Sequence, residues 1–459
     1  MISIEFLYFF VPVFMALYAV LSPKIRGKLA SLASAAVVCW VHPVGMIPMA
    51  VSVLGGYIFG ILIYNFRGKR HKQTVFLICS LILNIGAFAL FVPLNSGSSL
   101  IGLITDSGFI KGASAFGLSV YTLHSISYCA DIYRGRYGCR HSFAQIAEYI
   151  LFFPVMCAGP VLRFDDISET LKTPVISFAK ISDGIKLLLV GYAKKLILAD
   201  AMFELWCDVK AIDLDSLPAL TAWIGAAAYG FALYFSLWAF SDIGRGLGLM
   251  LGFDIGKNFD VPFAASGISD FVKRFNISLF KWINDYVFFA FDSRKKILRF
   301  AGIFIVSALG MLWYGVGLNT LLFGIFIGIF IIIETLIGER LQKVNAHIRR
   351  IAVLFLLLVT VPVLASENQS DAFAYCAAMF GANNVTIDIM SVHLLRIYLP
   401  LLAVCVILSS GLVEFIKGKI ENMSEYILTI IQPVCVIALL IMCTSYLISA
   451  DSIPLSLLF

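Results

Sequence analysis

The chain has 459 residues, 60% hydrophobic and 14% charged, with a mean hydropathy of +0.94 and a formal net charge of +6. A soluble domain of this length has no use for so much apolar surface, and a β-barrel would show short alternating strands in place of long apolar runs. Short basic membrane loops account for the charge, and no basic-aromatic domain stands apart from the apolar runs, so no nucleic-acid partner is expected.

The composition therefore predicts an all-α polytopic membrane protein. Apolar runs place membrane segments at 2–21, 30–48, 49–65, 74–93, 113–130, 144–161, 183–204, 219–240, 300–315, 318–337, 349–365, 392–414 and 427–448. Some of these are candidates for half-spans, so roughly 11 to 13 embedded segments are expected. The first run has no basic stretch before it and no small-residue cleavage site after it, and reads as a retained span, not a signal peptide. Pro154, Gly159 and Pro160 mark 144–161 as a broken segment. The stretch Phe259 to Phe291 differs from all others, because polar and apolar residues alternate there at helical spacing. It predicts a helix over 268–288 that lies tilted or along the interface, with Asn276 turned inward. The whole reads as one membrane domain: peripheral helices over 1–110, a polar-rich core over 111–340, and C-terminal helices over 341–459.

Basic clusters at Lys24, Arg26 and Lys28 and at Arg67, Lys69, Arg70 and Lys72 read as cytoplasmic loops, which puts the N-terminus outside. Polar groups inside the apolar part are the functional candidates. They concentrate in the central third, at Asp131, Arg134, Arg163, Asp165, Asp166, Lys194, Lys195, Asp200, Asp242, Arg245, Lys273, Arg274, Asn276 and Asp285. Helix-end residues and buried packing pairs are the plain alternative for each one. Asp242 and Arg245 lie three apart on one helix face, so they are expected to face the core with partners. The ten cysteines mostly sit inside apolar runs without a Cys-x-x-Cys pair. They read as small buried hydrophobes, with no metal site and no disulfide framework.

A family resemblance rests on six ordered motifs. These are GLSVYTLHSISYCADIYRG from Gly117, FFPVMCAGPVLRFDDI from Phe152, GYAKKLILAD from Gly191, YFSLWAFSDIGRGLGLMLGF from Tyr234, NFDVPFAASGISDFVKRFNISLFKWINDYVF from Asn258, and MLWYG from Met311. In order and spacing the chain resembles the membrane-bound O-acyltransferases, in the bacterial branch of alginate O-acetyltransferase and the D-alanyl transfer protein of teichoic acid. The resemblance implies a ring of tilted, re-entrant and interfacial helices around a central tunnel. It implies transfer of a short acyl group to a hydroxyl of an extracellular glycan or other cell-envelope polymer. The acyl donor, an acyl-CoA or an acyl-carrier thioester, would be a co-substrate, with no bound cofactor and no metal. Membrane lipids and an extracytoplasmic acyltransferase or carrier protein are the implied partners, in a bacterial cytoplasmic membrane.

The family pattern carries two active-site histidines, one in Arg-Trp-His-Ile-Ser-Leu and one in Leu-Trp-His-Gly. This chain has Asn276 at the first and Tyr314 at the second. Asn has no titrating group, and a phenol with a reference pKa near 10 is a hydrogen-bond donor at neutral pH. Flanking residues match, so the resemblance assigns Arg274, Ser278, Trp282, Asp285 and Trp313 to the tunnel, with Asp242 and Arg245. Asn276 and Tyr314 are expected to approach each other at its waist. His71, His141 and His347 sit in or beside basic loops and read as solvated, whereas His124, inside the first motif, is the candidate stand-in base or a helix histidine bonded to a neighbour. Two other readings stay open: a catalytically inactive member that binds or passes an acyl donor or lipid, and a secondary transporter.

Overall fold

A computed structural model describes residues 2–41, 43–91, 117–137, 141–156, 159–288, 291, 295–315, 317–366, 368–412, 425–449 and 453. His42, Cys139, Cys157 and the basic positions Arg140, Arg294, Lys417 and Lys419 lie outside the described residues. No strand occurs among those described. Among the described residues, seven helices are long and apolar enough to cross a membrane: Pro43–Asn65, Arg70–Phe91, Ala219–Met250, Leu318–Leu341, Ala346–Ala365, Ile389–Ser409 and Ile431–Ser449. The protein is all-α and polytopic. Apart from the first few residues, the chain divides into two compact units, Glu5–Leu188 with Ser241–Gly256, and Leu189–Phe240 with Lys257–Phe459.

The first unit begins with a π-helical turn, Glu5–Phe10, running into helix α1, Val11–Val20, so the first apolar run holds two helical forms. Helix α2, Pro23–Val41, starts several residues before the predicted span at 30. The basic cluster at Lys24, Arg26 and Lys28 thus lies in its first turns and not in a loop. Arg26 explains why this works: its Nε donates to the carbonyls of Tyr18 and Leu21 at 2.9 and 3.0 Å. Those are orphan acceptors at the end of α1, where a cation also meets the negative end of the helix dipole.

Helices α3, Met46–Asn65, and α4, Arg70–Phe91, form an antiparallel pair, and α5, Leu118–Tyr133, packs on both. Small residues allow the approach. A Cβ at Gly60 would lie 2.8 Å from the Tyr128 ring. Buried hydroxyls tie the seam together, with Ser125 Oγ donating to the Ser52 carbonyl at 2.8 Å. Helix α6, Phe143–Ile150, gives way to a single 3-10 turn at Phe153–Val155, so the predicted run 144–161 is broken at Pro154. Helix α7, Phe164–Lys172, and helix α8, Phe178–Ala193, follow.

The predicted span 183–204 is three pieces: the end of α8, a π-helical stretch Lys194–Ala199, and helix α9, Asp200–Lys210. Within the second unit, Lys194 Nζ sits 3.2 Å from the Trp238 ring centre. Its neighbour Lys195 is buried, paired with Asp200, and donates to the Ile453 carbonyl at 2.7 Å. A buried lysine is tolerated where a carboxylate and further acceptors surround it.

Helix α10, Ala219–Met250, runs 32 residues and does not stop at 240. Ser241, Asp242 and Arg245 interrupt the apolar run without ending the helix, because the charges satisfy each other. Arg245 Nη1 lies 3.1 Å from Asp242 Oδ1, and its Nε donates to the Ile255 carbonyl at 3.0 Å. Asp242 is 3% exposed, so both residues face protein, with partners. In the first unit α10 meets α8 backbone to backbone, where a Cβ at Gly246 would lie 2.7 Å from the Gly184 carbonyl oxygen.

The remaining helices belong to the second unit: α11, Ile268–Arg274; α12, Ile277–Tyr286; α13, Lys296–Leu312; α14, Leu318–Leu341; α15, Ala346–Ala365; α16, Gln369–Met379; α17, Ile389–Ser409; and α18, Glu425–Ser449. The predicted continuous helix 268–288 is therefore two short helices with a break at Phe275–Asn276. The orientation read from the basic loops gives a direct test. In a background without native cysteines, Lys69→Cys is expected to resist an impermeant thiol reagent on intact cells and to react once the membrane is opened. Ready labelling of intact cells reverses the orientation.

Candidate active site

The site is built on the break between α11 and α12. Phe275 is extended (φ −98°, ψ 117°), and Asn276 turns left-handed (φ 52°, ψ 58°) before α12 begins. Asn is among the few residues other than glycine that adopt this conformation readily. A break inside an apolar chain frees backbone N–H groups, and each needs an acceptor. Asn258 takes two of them. Its backbone carbonyl accepts from Ile277 N–H and its side-chain Oδ1 from Ser278 N–H, both at 2.8 Å.

The other end of α11 is held by a residue from a distant helix. Gly267 precedes α11 and offers no side chain as a cap. Glu334, from α14, accepts from Ser269 N–H at 2.9 Å in its place. A Cβ at Gly267 would collide with Glu334 Oε1. A carboxylate at a helix N-terminus also meets the positive end of the dipole. Around the same turn, Asp270 accepts from Arg274 Nε at 2.8 Å, and Arg350 donates to the Ala264 carbonyl at 3.1 Å. An antiparallel clasp, Asp260 N–H to the Arg274 carbonyl at 3.0 Å, closes the loop.

Tyr314 follows the end of α13 and reaches the break. Asn276 Nδ2 donates to the Tyr314 hydroxyl oxygen at 2.7 Å. Asn276 Oδ1 accepts from Asn258 Nδ2 at 3.0 Å. Asn276 and Tyr314 are each 6% exposed and Asn258 3% exposed. Aromatic rings wall the pair. Phe275 meets Phe271 at 5.3 Å, Phe259 edge-on at 5.2 Å and Tyr314 edge-on at 6.4 Å. In this dry setting a hydrogen bond is electrostatically stronger than in water, and a misdirected one costs more.

Of the other residues assigned to the tunnel, Ser278 joins this chain through its backbone. Trp282 is buried on α12, its ring tilted against Tyr286 at 4.9 Å, and its indole Nε1 has no hydrogen-bond partner among the described residues. Trp313 and Asp285 are half-buried at the ends of α13 and α12. Arg274 faces Asp270 and Asp260. Asp242 and Arg245 belong to the first unit and bind each other.

His124 also belongs to the first unit. Its ring is fully buried, stacked at 4.8 Å on Tyr149, and its Nε2 accepts from Leu162 N–H at 3.2 Å. The lone pair that a general base needs is thus held by a backbone amide. His141 is only partly solvated. It is half-buried, 4.4 Å from the Phe164 ring, with Nδ1 3.1 Å from the Tyr128 hydroxyl. Burial, then Lys172, push its pKa below the usual histidine value, while Asp165 pulls it up.

Two residues of the site are not among the sequence candidates. Asn258 opens the fifth motif as an unremarkable polar residue beside Phe259. Glu334 is a carboxylate within the apolar run 318–337, and that position was itself the signal, since such groups are rare in spans and seek partners.

Residues 118–359 match the membrane-bound O-acyltransferase family, and the chain belongs to it. It is a multi-pass bacterial membrane protein of that family. Among curated proteins it is 30% identical over 399 residues to a probable alginate O-acetylase of Pseudomonas syringae pv. tomato, covering 82% of this chain and 74% of that one. It is 22% identical over 378 residues to a peptidoglycan O-acetyltransferase of Helicobacter pylori, covering 74% and 71%. It is 22% identical over 304 residues to a teichoic acid D-alanyltransferase of Streptococcus thermophilus, covering 61% and 69%. These relatives are named as transferring enzymes, and the reading as an inactive member finds no support among them.

The Glu334 cap generates a stability ordering. Glu334→Gln keeps an oxygen for Ser269 N–H and is expected to unfold near the wild-type temperature in detergent. Glu334→Leu leaves that N–H without its acceptor and is expected to lose about 1–2 kcal/mol, the usual cost of a lost cap. Equal melting of all three proteins rules the cap out.

Proposed function

We propose that this chain transfers a short acyl group from a thioester donor to a hydroxyl of a cell-envelope glycan. The observation that carries the reading is the direct Asn276–Tyr314 hydrogen bond of 2.7 Å, at the two positions where the family pattern has its histidines. The acyl-group and polymer classes follow from the names of the relatives, acetyl or D-alanyl onto alginate, peptidoglycan or teichoic acid.

In the step assigned to the site, the acceptor oxygen attacks the thioester carbonyl carbon and the carbon–sulfur bond breaks. The acceptor proton ends on the departing sulfur, so the products are an ester and a thiol. Charge builds on the carbonyl oxygen in between. A donor aimed there is worth several kcal/mol in a water-excluded site. Tyr314 is assigned as that donor: its oxygen accepts from Asn276, and a phenol with a reference pKa near 10 is a hydrogen-bond donor at neutral pH. We assign no proton transfer to His124, whose Nε2 holds the backbone at Leu162. The donor is a thioester of coenzyme A or of a carrier protein, and a carrier would be the partner on the donor side.

The test uses purified protein in lipid vesicles, labelled acetyl-coenzyme A, and deacetylated alginate or peptidoglycan fragments as acceptors. Label is expected to move to the polymer as an alkali-labile ester. Tyr314→Phe keeps the ring and removes the donor, so kcat is expected to fall about 10²–10³-fold, the usual loss for one oxyanion donor, while KM for the donor stays close to wild type. Full activity of Tyr314→Phe overturns the role of the hydroxyl. Absence of label on every acceptor overturns the reaction.

A further inference from the structure

Helix α17, long and apolar enough to span the membrane, carries a charged residue on an outward face. Ile389, Val392, His393 and Arg396 recur at i, i+3, i+4 and i+7, so they lie together on one side of the helix. That side is turned away from the protein. Ile389 is 91% exposed and Val392 55%, and the nearby Ile397 and Leu399 are 55% and 54% exposed. His393 and Arg396 are exposed as well, and neither has a hydrogen-bond or charged partner among the described residues.

Arg396 lies about two turns into the helix, about 10 Å along its axis from Ile389. A guanidinium facing outward from an apolar span needs an anion or water to meet it. Helical side chains lean toward the N-terminus, which carries this charge toward the membrane surface.

The same residues enclose a space. Ile387, Asp388, Ile389, Val392, His393 and Arg396 line an open cavity of about 540 Å³, a volume common for small-ligand sites. Its lining offers three chemistries. The isoleucines and Val392 form an apolar wall. Arg396 and His393 supply N–H donors. Asp388, at the N-terminal end of the face, supplies a carboxylate. One oxygen of that carboxylate, Oδ1, accepts from Ser391 N–H at 2.7 Å and from the Ser391 hydroxyl. These bonds hold the Asp388 carboxyl below the usual carboxylate range, so it is ionised at neutral pH. Both contacts use one oxygen, and a carboxylate offers a second.

This pattern of charge selects among ligands. A purely anionic headgroup is drawn by Arg396 and repelled by Asp388, and a purely cationic one meets the reverse. A zwitterion carrying a phosphate and a primary ammonium satisfies both ends. A quaternary ammonium has no N–H to give the carboxylate. The apolar wall adds a demand for hydrocarbon beside the headgroup.

We propose that this cavity binds a phospholipid with a primary-ammonium headgroup. Arg396 and His393 hold the phosphate, Asp388 holds the ammonium, and an acyl chain runs along Ile389 and Val392. The lining shares no residue with the Asn276–Tyr314 site, and the proposal does not rest on the acyl-transfer reading.

The test gives delipidated protein in detergent equal amounts of phosphatidylethanolamine, phosphatidylglycerol and phosphatidylcholine with the same acyl chains. Native mass spectrometry then reads which lipid stays bound. Wild type is expected to retain a single phosphatidylethanolamine at least about tenfold better than either other lipid, the scale of one charge-assisted hydrogen bond. Arg396→Ala is expected to lower that retention about tenfold. Asp388→Asn keeps the cap, since Asn caps a helix as well as Asp does. It is expected to hold phosphatidylethanolamine and phosphatidylglycerol alike. A ratio of two lipids on one variant does not depend on how much of that variant is folded. Soluble phosphoethanolamine, which lacks the acyl chains, is expected to leave the bound lipid in place.

Equal retention of the three lipids by wild type makes Arg396 a snorkelling residue in bulk lipid and overturns the proposal. A preference for phosphatidylethanolamine that survives Arg396→Ala overturns the phosphate contact. An unchanged preference in Asp388→Asn overturns the ammonium contact. Displacement by phosphoethanolamine or by inorganic phosphate overturns the lipid as the ligand.

Discussion

Every backbone N–H freed by a helix break in an apolar chain has to find an acceptor inside the protein. The break between Arg274 and Ile277 obeys this constraint through Asn258, which receives Ile277 and Ser278, and the start of α11 obeys it through Glu334, which receives Ser269. Both acceptors reach across long stretches of sequence, so the break holds its shape only when α14 and the 257–267 loop are in place. The site is thus a property of the folded second unit and not of the local segment. Its geometry inherits the rigidity of the elements that cap it.

The same constraint explains the residue at 276. The backbone there is left-handed, which favours glycine, Asn, Asp or His over other residues. A polar side chain that tolerates this turn and reaches Tyr314 is required, and Asn meets both demands. The replacement of a histidine by Asn is therefore compatible with the backbone, and what changes is the chemistry the position offers. With Asn258 performing the cap, the Asn276 amide acts as a fixed dipole aimed at a phenol.

Much of the fold was legible because apolar length is a strong signal. The runs at 318–337, 349–365 and 392–414 became α14, α15 and α17 with only their ends moved. The ends moved where polar residues found partners inside helices. Arg26 stayed helical by binding the α1 carbonyls, and Asp242 with Arg245 let α10 run on to Met250. Helical periodicity ran straight through Phe275 and Asn276, since a single left-handed residue leaves the pattern of apolar positions almost unchanged. The pairing of Asn276 with Tyr314 was readable only through ordered motifs. Asn258 was unreadable because its role is to accept two backbone N–H groups, and only the folded break places them beside it.

A site of amides and a phenol works differently from a pair of histidines. A histidine pair moves protons, and its activity follows its own titration near neutral pH. The chain from Ser278 N–H through Asn258 and Asn276 to Tyr314 contains no group that titrates in that range by its reference value. It can stabilise charge on a carbonyl oxygen, and the departing sulfur can take the acceptor proton. The demand then falls on orientation, because a fixed dipole helps only when it points the right way before the reaction begins. That is why the capping of α12 and the chemistry at Tyr314 belong together: Asn258, which accepts the N–H groups freed at the break, also donates to the Asn276 side chain that donates to Tyr314.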